Sequence, residues 1–125
     1  MSAELESLAN RVIGAAIEVH RALGPGLLES AYEACLAREL AHLGVPFERQ
    51  SPLPVLYRGE PVDVAYRLDF VVANRLLLEL KSVERFEPIH TAQVLTYLRL
   101  SGLKLALLLN FNVPLLREGI KRVIL

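Results

Sequence analysis

Three side chains near the middle of the chain, Asp69, Glu79 and Lys81, have the types and spacing needed to hold a hard cation beside a phosphate. They lie on two strand-like segments, 64–72 and 76–82, separated by Ala73-Asn74-Arg75. In the first segment Val64, Tyr66, Leu68, Phe70 and Val72 form an unbroken alternate apolar set, which Leu76, Leu78 and Leu80 match in the second. The intervening positions carry Arg67, Asp69 and Val71, and then Leu77, Glu79 and Lys81. Both apolar sets share one face of a hairpin only if paired residue numbers add to an even value, and a loop centred on Asn74 makes that value 148. Asp69 then faces Glu79 with Cβ atoms roughly 4.5–5.5 Å apart.

Two facing carboxylates repel, and a divalent cation such as Mg²⁺ or Mn²⁺ reverses the sign of that interaction. Such an ion keeps several waters and completes its shell with phosphate oxygens. Lys81, two residues beyond Glu79 on the same side, is placed to hold an attacking water or to neutralise charge on a phosphoryl oxygen. The plainer reading of the same pattern is a solvated hairpin face with scattered charges.

Two helices bear on the choice. Glu29 opens the second one, where a carboxylate is favoured by the helix dipole, yet it shares a face with Tyr32, Leu36 and Leu40, which points it inward. His90, Gln93 and Tyr97 fall at i, i+3 and i+7 of a third helix and form one polar stripe, with Ala92, Leu95 and Leu98 opposite. That stripe suits phosphate oxygens and bases, or is by itself a plain solvent-facing stripe, and His90, two residues after Pro88, also suits a helix start. No His pairs with Cys35 at zinc-ligand spacing.

The elements that must position these groups can be read along the chain. An amphipathic helix over 4–22 is stopped by Gly24-Pro25-Gly26, and a second over about 27–43 ends at Gly44, giving an antiparallel pair. Prolines at 46, 52 and 54 exclude a helix over 45–58, where Val55-Leu-Tyr57 suggests an edge strand, and Gly59-Glu60-Pro61 reads as a turn. After the hairpin, Pro88 opens the third helix and Gly102 closes it. Leu105-Ala-Leu-Leu-Leu109 lacks polar alternation, as befits a strand covered on both faces, and the strand–helix–strand unit implies a parallel pair. Residues 119–125 form a closing strand or a short helix.

With 125 residues and 53% hydrophobic content, the chain suits one compact α/β domain, 1–125, with a mixed sheet flanked by helices. Its 14 cations and 14 anions cancel, which argues against a large non-specific nucleic-acid footprint. The charge is nonetheless uneven: residues 1–63 hold five basic and nine acidic side chains, and 64–125 the reverse. A lone Cys35, acidic residues at positions 4 and 6, and the lack of a long apolar run lead to the expectation of a soluble cytoplasmic protein without membrane contact.

Several ordered motifs carry a family resemblance. Gly26-Leu-Leu-Glu29-Ser-Ala-Tyr32, Leu68-Asp69-Phe70, Glu79-Leu80-Lys81-Ser82-Val83-Glu84, His90-Thr-Ala-Gln93-Val-Leu-Thr-Tyr97 and the tail Gly102-Leu-Lys to Asn110-Phe111-Asn112 resemble the GxxExxY protein family. The likeness runs from about Ala9 to Val123. That family is placed in the PD-(D/E)XK nuclease superfamily, which implies a restriction-endonuclease-like core and hydrolysis of phosphodiester bonds with Mg²⁺ or Mn²⁺, DNA being favoured over RNA. By motif, Asp69 would be the first metal-binding acid, Glu79 and Lys81 the ExK pair, the Leu80 carbonyl a further metal ligand, and Glu29 the helix acid that assists. Gln93 and Tyr97 match a QxxxY element that contacts nucleic acid. Leu68 stands where many members of the superfamily have Pro. Neutral charge and small size leave a second reading, a non-catalytic binding or assembly module on the nuclease fold, and open strand edges suit a homodimer.

Overall fold

A computed structural model describes residues 1–125. Helix α1 spans Ala3–Leu23, and its start is fixed by the Ser2 hydroxyl, which accepts from the Leu5 N–H at 3.1 Å. Leu5, Ala9, Val12, Ala15, Ala16 and Val19 bury one stripe of it. Helix α2, Glu29–His42, begins two residues later than the apolar pattern suggests, because Leu28 is still extended. Cys35 packs partly buried against the same core, as its apolar neighbours indicate.

The five strands are β1 (Phe47–Tyr57), β2 (Glu60–Val72), β3 (Leu76–Lys81), β4 (Leu105–Asn110) and β5 (Ile120–Ile124), arranged in that order across one sheet. All neighbours are antiparallel except β3 and β4, which run parallel on either side of helix α3 (Pro88–Ser101). Gly102 ends α3 in the left-handed region at φ 77°. The closing segment is a strand, preceded by a 3-10 turn over Leu116–Gly119.

The expected turn at Gly59-Glu60-Pro61 lies one residue earlier. Arg58 and Gly59 both have positive φ, a two-residue turn that pairs Tyr57 with Glu60 and takes Pro61 into β2. β2 is consequently longer than the alternation over 64–72 indicates.

The sheet separates two cores. Helices α1 and α2 cover one face with Phe70, Val72, Leu76, Leu78, Leu80, Leu105, Leu107 and Leu109, while α3 covers the other with Leu68, Leu77, Ala106 and Leu108. β4 is buried along its whole length, which accounts for its uninterrupted apolar run. On α3 the buried seam is Val94 and Leu98; Ala92, expected on that seam, is exposed.

Candidate active site

The β2–β3 hairpin has the expected register. Phe70 pairs with Leu78, Val71 with Leu77 and Val72 with Leu76. Beyond Phe70 the backbone ladder stops and the two carboxylates replace it. The Asp69 N–H donates to Glu79 Oε2 at 2.8 Å, and the Leu80 N–H donates to Asp69 Oδ2 at 2.8 Å. Each acid is thus tied to the other strand's backbone through one oxygen. Asp69 Oδ1 has only a long contact with the Gln50 amide, at 3.4 Å.

The apolar face of β2 is not continuous, contrary to its alternation. Phe70 and Val72 pack towards α1 and α2, whereas Leu68 packs towards α3 and Tyr66 lies against Tyr97 of that helix, ring centroids 5.1 Å apart. β1 changes face at the same rung: Phe47 packs on Phe70, Leu53 joins the α3 core, and Gln50 between them has φ 49°. The change of face falls at the rung of Asp69, which the β2–β3 register sets opposite Glu79.

Burial and like charge act on this pair together. Glu79 is 6% exposed, and burial, followed by the charge of Asp69, pushes its carboxyl up to about 8. Burial also raises Asp69, and Glu33 and Glu29 raise it further, while the Leu80 N–H and the Lys81 ammonium act in the opposite sense. Lys81, at the end of β3, offsets the charge of both acids. Tyr97 is raised by burial and by Glu79, Tyr66 and Asp69, so α3 brings its phenol to the acids.

Glu29 is exposed rather than pointing inward; Tyr32, Leu36 and Leu40 continue its face into the core. Its carboxylate accepts from the Ser82 N–H at 3.3 Å, just past Lys81, and its charge reaches both acids from the rim. The approach is held by Tyr32, whose hydroxyl donates to the Gly24 carbonyl at 2.6 Å and accepts from the Leu27 N–H at 3.1 Å. Its ring stacks on Phe111 at 4.5 Å. Ser82 Oγ donates to the Leu27 carbonyl at 2.7 Å, joining the loop before α2 to the end of β3. These bonds give Glu29 and Tyr32 a common local task, beside Gly26, whose φ of 98° turns the chain there.

The other stripe residues differ. The Glu87 N–H donates to His90 Nδ1 at 3.0 Å, so this imidazole caps α3. Gln93 is exposed one turn before Tyr97.

Three contributors are not singled out by the sequence. Glu33, four residues after Glu29 on the same helix face, accepts from Arg49 at 2.8 Å and also from Gln50. Gln50 bridges Glu33 to Asp69, which no local pattern announces. Asn110 is 2% exposed and grips both backbone groups of Val83: its Oδ1 accepts from the Val83 N–H at 3.1 Å, and its Nδ2 donates to the Val83 carbonyl at 2.9 Å. A polar residue closing an apolar strand is the signal for it.

The donor set can be tested against a divalent cation. No three His, Cys, Asp or Glu side chains are gathered closely enough to enclose an ion on their own. The acid pair nonetheless offers hard oxygens under mutual repulsion, which fits an open site completed by backbone carbonyl, water and phosphate oxygens.

Fold and site together define an α/β domain of the restriction-endonuclease-like type, with an acid pair and a lysine where β2 and β3 part. The chain belongs to the PD-(D/E)XK nuclease superfamily, whose family model matches residues 6–123. Members of that superfamily generally use divalent metals. No curated protein and no solved structure matches the chain.

Proposed function

We propose that this protein is a divalent-metal-dependent nuclease of the GxxExxY type, hydrolysing phosphodiester bonds in DNA in preference to RNA with Mg²⁺ or Mn²⁺. The observation that carries the reading is the reciprocal tie between Asp69 and Glu79, which holds two carboxyl groups so close together, with Glu79 buried, that Glu79 keeps its proton to about 8. A fold has no structural need for that arrangement, and a cation relieves it.

Asp69, Glu79 and the Leu80 carbonyl would hold the ion, with Glu29 assisting from the rim. A bound divalent cation supplies Lewis acidity at a phosphoryl oxygen and lowers the pKa of water towards neutrality. As a ligand Glu79 would be ionised, its carboxyl proton passing to solvent. Lys81 positions the water and stabilises the charge that grows on the phosphoryl oxygens. Tyr97 and Gln93 line the approach from α3 and donate to phosphate, with His90 at the head of the same helix. Leu80 N–H and Gln50 keep Asp69 oriented throughout. The superfamily makes nucleic acid the substrate class, and no helix is long and apolar enough to cross a membrane. The lone cysteine suits a reducing compartment such as the cytoplasm.

End-labelled DNA and RNA, incubated with Mn²⁺, Mg²⁺ or chelator, test this. Metal-dependent cleavage should fall roughly a hundredfold or more in Lys81→Ala, with the fold retained. Undiminished cleavage in Lys81→Ala and Glu79→Gln would sink the proposal. A wild type that binds Mn²⁺ and nucleic acid but cuts nothing would favour the non-catalytic module.

A further inference from the structure

The acid pair, the lysine and an aromatic side chain with no role so far share one face of the sheet. Leu77 packs towards α3, and strand alternation puts Glu79 and Lys81 on that face too. Tyr66 stands on the same face, where β2 runs on past the end of β3. It is held in register opposite Leu53 of β1, itself part of the α3 core. Its ring meets Tyr97 with centroids 5.1 Å apart and planes at 53°, a tilted contact that leaves 38% of Tyr66 exposed. Tyr97 in turn feels Glu79, Tyr66 and Asp69, so the two phenols and the two acids surround one place.

No other ring is free beside the acids. Tyr32, Phe70 and Phe111 are fully buried, and Tyr57, at the far end of the β1–β2 hairpin, lies under the Arg58 guanidinium at 5.7 Å. Charge also limits what can hold a polyanion here. The chain balances 14 basic against 14 acidic side chains, and three of the acids, Glu29, Asp69 and Glu79, act on one another at this place. Phosphate contacts alone therefore supply little affinity. A nucleobase with a free face gains more, because any base stacks favourably on an aromatic ring. In an intact duplex the neighbouring pairs cover both faces of each base.

We propose that Tyr66, backed by Tyr97, stacks on an unpaired base next to the scissile phosphate, so that the substrate is a single-stranded stretch of DNA and not an intact duplex. The inference rests on the nuclease reading of the acid pair and adds the state of the strand to it. A base seated on Tyr66 carries its adjoining phosphate towards Glu79 and Lys81, which lie on the same face. Tyr66 is then a substrate-binding residue that sets specificity without touching the reacting atoms.

Fluorescence anisotropy with a labelled single strand, the matching duplex and an abasic strand of equal length tests this, with Ca²⁺ in place of Mg²⁺ to occupy carboxylate oxygens. The wild type should bind the single strand at least about tenfold more tightly than the duplex. Tyr66→Leu should weaken single-strand binding roughly five- to thirtyfold, and Tyr66→Phe should stay within about threefold of the wild type, because the ring and not the hydroxyl stacks. The slope of affinity against salt should be the same in all three proteins, since no phosphate contact is lost. On the abasic strand, wild type and Tyr66→Leu should be equal. Circular dichroism confirms that each variant is folded, and the Phe variant separates stacking from a packing defect. A wild type that binds the duplex as well as the single strand, or binds no single strand at about 100 μM protein, would overturn the proposal. So would Tyr66→Leu binding like the wild type, Tyr66→Phe as weak as Tyr66→Leu, or an equal loss on the abasic strand. Binding is read without turnover, so a failure of stacking and a failure of the cleavage assay are told apart.

Discussion

Replacing Glu79 by Gln should make the metal-free protein more stable at alkaline pH and change little at acid pH. In the unfolded chain this carboxyl ionises near 4.5, and in the fold it holds its proton to about 8, because it is buried and faces Asp69. Between those values the native state binds the extra proton, so stability falls as pH rises, by about 1.4 kcal/mol per unit. The contribution is fully present below pH 4.5 and lost above about 8. A span of that width corresponds to a loss on the order of 3 to 5 kcal/mol, a large share of the stability of a small domain. The amide introduced by Glu79→Gln keeps an acceptor for the Asp69 N–H and has no charge to desolvate. Urea unfolding in chelator, from about pH 5 to about pH 9, supplies the measurement. The stability difference between variant and wild type should be near zero at the acid end and reach several kcal/mol in the variant's favour at the alkaline end. A difference that does not change with pH would refute the assignment of strain to this pair.

Millimolar Mn²⁺ should raise the melting temperature of the wild type, and Asp69→Asn should abolish that rise, as followed by differential scanning fluorimetry. Asn110→Ala removes the two bonds its amide makes to the Val83 backbone and should cost about 2 to 3 kcal/mol in urea unfolding, reducing cleavage because the chain beyond Lys81 loosens. Tyr32→Phe removes the hydroxyl held by Gly24 and Leu27 and should cost about 1 to 2 kcal/mol. Gly119→Ala places a Cβ 2.1 Å from the Asn110 carbonyl oxygen, so backbone must move, at about 2 kcal/mol or more in the same assay.

Much of this architecture can be read from residue order. The hairpin register follows from alternation about Asn74, the parallel β3–β4 pair from the intervening helix, and the burial of β4 from its unbroken apolar run. Glu79 and Lys81 can be picked out because acid and base interrupt an otherwise apolar strand, and Asp69 because the hairpin register sets it opposite Glu79. What alternation cannot show is the change of face at Asp69, since Leu68 and Phe70 are both apolar and either face would accept them. The outward position of Glu29 escapes periodicity because the first residue of a helix sits at its rim, where no neighbouring turn covers it. Gln50 joins the site through a left-handed backbone on a different strand, a tertiary arrangement with no local signature.

Whether the acid pair is a divalent-metal site is tested most directly by calorimetric titration of Mn²⁺ into the apoprotein near pH 7 in buffers of different ionisation enthalpy. Glu79 is largely protonated there, so ligation must expel its proton. One site per chain, a buffer-dependent heat reporting proton release, and loss of binding in Asp69→Asn are the predicted results. Absence of binding at millimolar Mn²⁺, or equal binding by wild type and Asp69→Asn, would contradict it.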